Sequence, residues 1–275
     1  MEFVVNGTRI FAEVLGDGPA IVCLHGGFGL DHSYFCPYLD DLARDHLLVL
    51  VDLRGHGRSD PLARNAFRID AIVEDLEAIR GQLRQPHWTV LGHSGGGLIA
   101  AQYAATHPAL VSHLCLVGSF PRFPFRAPGW LRLARELGDP EILSGLKMFL
   151  DGVKSDDAYR DACIKIAPLF FADPKRADCS PFDRIRYRVA PHQEAIAHYS
   201  GYDLRDPVAA YRGPVLIVHG TQDHRVPVGE GKKWLQCLPQ ARWVKIDKAG
   251  HFPFIEQPVE FCRVLRRFFD RASLP

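Results

Sequence analysis

The sequence predicts an α/β protein: a mostly parallel, doubly wound sheet interrupted by one inserted helical segment. Three observations predict it. Short apolar runs of strand length alternate with helical patterns along most of the chain. The alternation stops between residues 121 and 206, where helical stretches, prolines, arginines and aromatics replace strand-like runs, and it resumes at Val215. Finally, Gly92-His93-Ser94-Gly95-Gly96 joins an apolar run to a small-residue helical stretch through a tight turn.

Taken in order, strands 2–5 and 9–15 open the chain around Asn6-Gly7, a strong hairpin turn. Ile21-Val22-Cys23-Leu24 reads as a buried strand, and 31–44 as a helix. Leu47-Leu48-Val49-Leu50-Val51 is the next strand. It leads into Asp52-Leu53-Arg54-Gly55-His56-Gly57-Arg58-Ser59. The glycines there shape a tight loop and Arg54 is expected to pair locally, so no chemistry is assigned to it. A helix follows at 69–83, a strand at Trp88-Thr89-Val90-Leu91, a helix at 96–106 and a strand at Leu114-Cys115-Leu116-Val117-Gly118. Amphipathic stretches at 130–137, 142–150 and 157–171 then make up the insertion. Strands at Val215-Leu216-Ile217-Val218 and Arg242-Trp243-Val244-Lys245-Ile246, with helices at 229–237 and 259–271, complete the pattern. The expected division is a core of 1–120 and 207–275 with a helical cap, or lid, over 121–206.

The chain has 275 residues, 47% hydrophobic, enough for a large core. Formal net charge is +1 with no basic or acidic run, so neither nucleic acid nor an anionic membrane is expected as a partner. No apolar stretch approaches a membrane span. Met1-Glu2-Phe3-Val4-Val5 reads as a strand rather than a signal peptide. Seven scattered cysteines, an odd number without C-x-x-C, read as buried thiols in a reducing compartment, which points to the cytoplasm. No metal-ligand spacing stands out, and neither a metal nor an organic cofactor is expected.

The chemistry is carried by three residues at three strand ends. Ser94 lies at the sharp strand-to-helix turn of the G-x-S-x-G elbow. Any Cβ two residues before or after it would collide with the neighbouring strand or helix. Asp223 follows the strand that ends at Gly220, and His251 follows the strand that ends at Ile246. Singly, each has a plain structural use: Ser94 as a helix cap, Asp223 as a turn cap, His251 as a histidine satisfied by backbone. Jointly they stand in the order nucleophile, acid, base, which those structural uses leave unexplained. His219 reads as a strand-end residue and His25 as a support for the loop around it.

With these residues, and with His25-Gly26-Gly27-Phe28-Gly29 after the first buried strand, the chain resembles the α/β-hydrolase superfamily in its serine-nucleophile branch. The resemblance covers nearly the whole length. It implies the α/β-hydrolase fold with an inserted helical cap. It implies an oxyanion hole built from the amide of Gly27 or Phe28 and that of Gly95; losing one such donor costs roughly 3–4 kcal/mol. It also implies that His93 is not the base. In some relatives the acid follows the strand ending at Val117; here Gly118-Ser119-Phe120-Pro121 offers no carboxylate, leaving Asp223. Serine at the elbow argues against the dehalogenase and epoxide-hydrolase branches, whose nucleophile is a carboxylate.

A cap in that position lies over the strand ends where ligands bind in open α/β sheets. It carries Phe123, Phe125, Trp130, Phe149, Phe170 and Phe171, with Phe120 directly before it. Most aromatics pack cores, but collectively a few are expected to face substrate, foremost Phe120, Phe123, Trp130 and Phe149. The expected substrate is a small, partly apolar ester or lactone. The second reading is a peptidase, since the segment from His25 to Gly29 with Tyr34-Phe35-Cys36-Pro37-Tyr38-Leu39, and Glu194-Ala195-Ile196-Ala197-His198-Tyr199, are similar to proline iminopeptidases. That family places an acidic residue two before the tyrosine, where this chain has Ala197, and a Trp after the serine, where it has Gly95. A third reading, from a different class, is a small-molecule receptor that keeps the triad.

Overall fold

A computed structural model of the chain describes residues 1–62, 66–123, 128–199 and 201–272. Eight strands form one sheet: β1 (Glu2–Val5), β2 (Thr8–Leu15), β3 (Ala20–Leu24), β4 (Leu47–Val51), β5 (Trp88–His93), β6 (Val111–Val117), β7 (Val215–Gly220) and β8 (Arg242–Ile246). Their order is β1-β2-β4-β3-β5-β6-β7-β8. The β1–β2 and β2–β4 pairs are antiparallel and all others are parallel. The opening hairpin turns at Asn6 (φ 45°) and Gly7 (φ 74°), both left-handed as a tight hairpin turn requires.

The period-2 alternation of side chains sorts the sheet into two cores. Val22, Leu24, Val49 and Val51 point to one face, where they pack against α1 (Ile69–Gln82) and α2 (Gly96–Thr106). Ile21, Cys23, Leu48, Leu50 and Cys115 point to the other. Between β6 and β7 come α3 (Pro128–Leu137), α4 (Pro140–Asp151), α5 (Asp156–Ile166), α6 (Ser180–Asp183), α7 (Val189–Tyr199) and α8 (Arg205–Val208). After β7 follow α9 (Val228–Lys232), α10 (Trp234–Cys237), α11 (Pro253–Glu256) and α12 (Pro258–Ala272). Helix α12 covers the second face with Phe261, Val264, Leu265, Phe268 and Phe269, the i, i+3, i+4, i+7, i+8 stripe of an amphipathic helix.

The segment between β6 and β7 has a core of its own, in which Trp130 and Ala134 pack against Ile142, Leu146, Ile166 and Leu169. Its one extended pairing among the described residues is an isolated bridge between Arg122 and Asp203. The helix expected over 31–44 is instead two 3₁₀ turns, His32–Phe35 and Asp40–Arg44. Pro37 lacks an N–H and pushes Cys36 to an extended backbone, which breaks the helix between them. The stretch 157–171 likewise changes from α5 to a 3₁₀ turn, Ala167–Phe170, at Pro168. Phe125 lies outside the described residues. No described helix is long and apolar enough to cross a membrane.

Candidate active site

The site is built at the carboxyl ends of β3, β5, β7 and β8. Ser94 follows β5 directly, with φ 53°, a left-handed angle that costs a non-glycine residue about 1–2 kcal/mol. The turn holds because Ser94 N–H donates to the Val117 carbonyl at 2.8 Å and Gly97 N–H donates to that of Ser94 at 3.0 Å. The flanking glycines are there for space. A Cβ on Gly92 would strike the Gly96 carbonyl, and one on Gly96 would strike the Leu24 and His25 carbonyls.

Asp223 and His251 meet across the neighbouring loops. His251 Nδ1 lies 2.8 Å from Asp223 Oδ2. The other oxygen, Oδ1, accepts the N–H groups of Arg225 (2.9 Å) and Val226 (2.8 Å), which fixes the carboxylate's plane. Burial alone would raise the pKa of Asp223. The His251 charge and the hydrogen bonds from His219 and His251 outweigh it and hold the carboxyl below the usual range. His219 ends β7, stacks on Trp243 and places Nε2 2.7 Å from the Val226 carbonyl, 3.4 Å from Asp223 Oδ2. It braces the acid's loop, a role its position at a strand end did not reveal.

The loop after β3 packs directly on the elbow. A Cβ on Gly26 would sit 2.5 Å from that of Ser94, and one on Gly95 would sit 2.9 Å from the Phe28 ring. This brings Gly27, Phe28 and Gly95 to one side of the serine. His25 supports the loop, with Nε2 accepting the Leu53 N–H at 3.3 Å.

These residues border a cavity of about 240 Å³. Ser94, His251, Gly27, Phe28 and Gly95 line it together with Phe120, Phe123, Trp130 and Phe149. Phe170 lines it too, whereas Phe171 is buried in the core behind. Sequence reasoning missed three polar residues at this cavity: Tyr159 on α5, His192 on α7 and Arg225 in the acid's loop. The Arg225 guanidinium lies 5.0 Å from the centre of the Trp130 ring. Only the position of Arg225, two residues after the acid candidate, was a signal that it would lie near the site.

The helical segment grips the site on both sides. Tyr159 O–H donates to the Phe28 carbonyl at 2.8 Å, and Arg188 N–H to that of Gly29 at 2.8 Å. His251 N–H donates to the Phe170 carbonyl at 2.7 Å. Glu256 accepts the N–H groups of Gly250 (2.6 Å) and Ala172 (2.7 Å), tying the histidine loop to the insertion.

Two segments without assigned chemistry behave as scaffold. Arg54 pairs not within its loop but with Asp75 on α1, through two bonds of 2.6 Å. Asp31, His32 and Asp52 come together, with ligand-type atoms within 4.8 Å of one another, a grouping that sequence spacing hid. Hydrogen bonds use those atoms: Asp52 accepts from the His32 and Arg58 amides, its Oδ1 is 2.5 Å from His32 Nδ1, and Asp31 accepts from Ser33 and Arg186. All seven cysteines are free thiols, and burial pushes those of Cys23 and Cys115 upward.

The chain is similar to known hydrolases over nearly its whole length. A pimeloyl-[acyl-carrier protein] methyl ester esterase of Chromobacterium violaceum is 30% identical over 271 residues, covering 96% of this chain and all of that protein. A proline iminopeptidase of Pestalotiopsis fici is 26% identical, covering 98% of this chain and all of the other. The crystal structure of an esterase from a Rhodococcus species superimposes with a TM-score of 0.80 at 24% identity, covering 99% of both chains. Residues 19–258 match the alpha/beta hydrolase fold family, and the chain belongs to that family.

Proposed function

We propose that this protein is a serine hydrolase that cleaves small, partly apolar carboxylic esters or lactones through an acyl-enzyme. The observation that carries the proposal is the Asp223–His251 pair at 2.8 Å, with His251 lining the same cavity as a serine held at φ 53°. In this mechanism Ser94 Oγ attacks the ester carbonyl while His251 Nε2 takes its proton. Asp223 fixes the proton of the neutral imidazole on Nδ1 and stabilises the imidazolium. The amides of Gly95 and of Gly27 or Phe28 stabilise the oxyanion. The imidazolium then protonates the departing alcohol. Water, activated by the same imidazole, attacks the acyl-enzyme, and the carboxylic acid leaves as Ser94 regains its proton.

Residues 121–206 act as the cap in this reading. Their bonds to the loops of Phe28 and His251 support it, as does the apolar wall of Phe120, Phe123, Trp130 and Phe149. The similarity to a methyl ester esterase favours an ester as substrate. The seven free thiols fit a reducing compartment.

A second reading, an aminopeptidase of the proline iminopeptidase kind, draws on the 26% identity to one such enzyme. It is the weaker one, because the acid nearest that family's amine-binding position is engaged elsewhere: Glu194 accepts the Phe67 N–H at 2.9 Å. Labelling by a fluorophosphonate at Ser94, with turnover of p-nitrophenyl butyrate, tests the ester reading. A protein that binds small ligands tightly without labelling or turnover would be a receptor instead.

A further inference from the structure

We infer that Tyr159 is a positioning residue for hydrolysis: from α5 of the insertion it holds the main chain of Phe28, and so aims the oxyanion donor in the loop after β3. The inference rests on the serine-hydrolase reading.

That loop is a turn. Leu30 N–H donates to the Gly27 carbonyl at 2.8 Å, with Phe28 and Gly29 between them. Gly29 has φ 99°, the positive angle that a type II turn requires at its third position. Glycine leaves the torsions around the central peptide, Phe28–Gly29, soft, so the turn bond alone does not fix which way that peptide faces. The insertion fixes it. Tyr159 O–H donates to the Phe28 carbonyl at 2.8 Å, and Arg188 N–H to the Gly29 carbonyl at 2.8 Å. The approach is close: a Cβ on Gly29 would strike the Arg188 carbonyl oxygen and lie 2.6 Å from the Tyr159 ring.

Phe28 is held from the other side as well. Its ring packs against Gly95, where a Cβ would come within 2.9 Å, and lies 4.7 Å from the Tyr199 ring. With ring and carbonyl both fixed, the N–H of the same residue has little freedom of direction. Among the described residues no acceptor takes the N–H of Phe28 or of Gly95, and both residues line the cavity beside Ser94. An oxyanion donor is effective because it is aimed before the charge develops. Without the Tyr159 hydroxyl the central peptide can turn, and the aim is lost while the apolar wall that binds the ground state remains. His192 adds to the hold. Its ring stacks on that of Tyr159 at 4.6 Å and bonds to the Phe28 main chain.

The test measures kcat and KM for p-nitrophenyl butyrate in wild type, S94A, Y159F and H192L. It adds inhibition constants for two ligands: butylboronic acid, which joins the serine oxygen as a tetrahedral anion, and butyramide, which binds as a ground state. Y159F is expected to lower kcat by about 10- to 100-fold, with KM within about threefold of wild type. Its boronate constant rises by a similar factor and its butyramide constant stays put. H192L shows a smaller loss of the same kind. A residue that only shapes the pocket would move KM and butyramide along with kcat. Y159F with a kcat within about twofold of wild type, or with a loss shared by butyramide, overturns the assignment. If Y159F does not fold, H192L is judged by the same split and decides. Turnover lost in S94A beside a wild-type rate in Y159F sinks Tyr159 and leaves the hydrolase reading standing. Turnover absent in wild type, or unchanged in S94A, sinks that reading and the inference with it.

Discussion

His93 Nε2 lies 2.9 Å from the main-chain oxygen of His251, so the residue before Ser94 holds the backbone of His251. A carbonyl only accepts, so the Nε2 proton points to His251. Nδ1 then accepts from Tyr34 O–H at 3.0 Å, and the Tyr34 oxygen accepts the Gly26 N–H at 2.6 Å. One directed chain of hydrogen bonds thus joins the loop after β3, the elbow and the histidine loop. Burial, with the nearby His251 charge, keeps His93 well below its usual pKa and therefore neutral, the state this chain requires.

That chain predicts the effect of Tyr34→Phe. The substitution strands the buried Gly26 N–H and leaves His93 Nδ1 without its donor. A loss of about 1–3 kcal/mol in stability is expected, with a fall in kcat larger than any change in KM. Urea unfolding and steady-state kinetics check it; a variant as stable and as active as wild type contradicts the chain.

Ser94→Ala and Ser94→Gly are both expected to lower ester hydrolysis to below about one hundredth of wild type; activity above that in either variant contradicts the nucleophile assignment. They differ in stability. Glycine accepts φ 53° without the Cβ penalty, so the glycine variant is expected to exceed the alanine variant by about 1 kcal/mol. Equal denaturation midpoints would remove the claim of strain at the elbow.

Asp223→Asn is expected to lower kcat by about 10⁴, since the amide can hold the imidazole in the wrong tautomer. Its stability effect has a definite sign. The folded carboxyl is depressed, so its contribution is fully present above the unfolded value of about 3.9 and is lost as pH falls through the lower folded value. The Tm gap between wild type and variant is therefore expected to narrow in strong acid. A gap independent of pH contradicts the linkage.

Acid sensitivity should begin earlier, through other groups. Burial pushes His25, His113 and His192 down to about 4 and His56 to about 3. The unfolded chain protonates such rings near about 6.5. Between that value and the folded ones the unfolded state binds more protons, so stability rises with pH. Glu256 opposes this: burial raises it to about 7, against the pull of its bonds from Ala172 and Gly250, and its term falls as pH rises through that window. Four rings outweigh one carboxyl. Tm is expected to drop as pH is lowered from about 7 to about 5, with proton uptake on unfolding; a flat Tm contradicts it.

Substrate choice is the last expectation. Corrected for uncatalysed hydrolysis, p-nitrophenyl butyrate is expected to show the larger rate enhancement than proline p-nitroanilide. Glu194 is bound to the Phe67 amide, and no Asp or Glu lines the described wall of the cavity. A larger enhancement on the proline amide would promote the peptidase reading.

The sequence by itself determined the strands and their succession along the chain, while their order in the sheet came from the structure. Apolar alternation in Ile21 to Leu24 and Leu47 to Val51 specifies two buried faces whatever the partners are, because side chains alternate along any strand. The glycines around Ser94 likewise betray a local geometry, since the clash they avoid lies within the turn and its nearest strand. Local rules also misled: the apolar spacing over 31–44 outweighed Pro37, which splits the stretch into two 3₁₀ turns. What only the tertiary structure decided is what meets across long separations. The bond from His93 to His251, the bracing of Asp223 by His219, the pairing of Arg54 with Asp75 and the stacking of Arg225 on Trp130 depend on how loops approach one another. No period or spacing encodes such approaches. They follow from packing the whole chain, which is why many residues of the candidate site were legible in the sequence and the contacts that hold them in place were not.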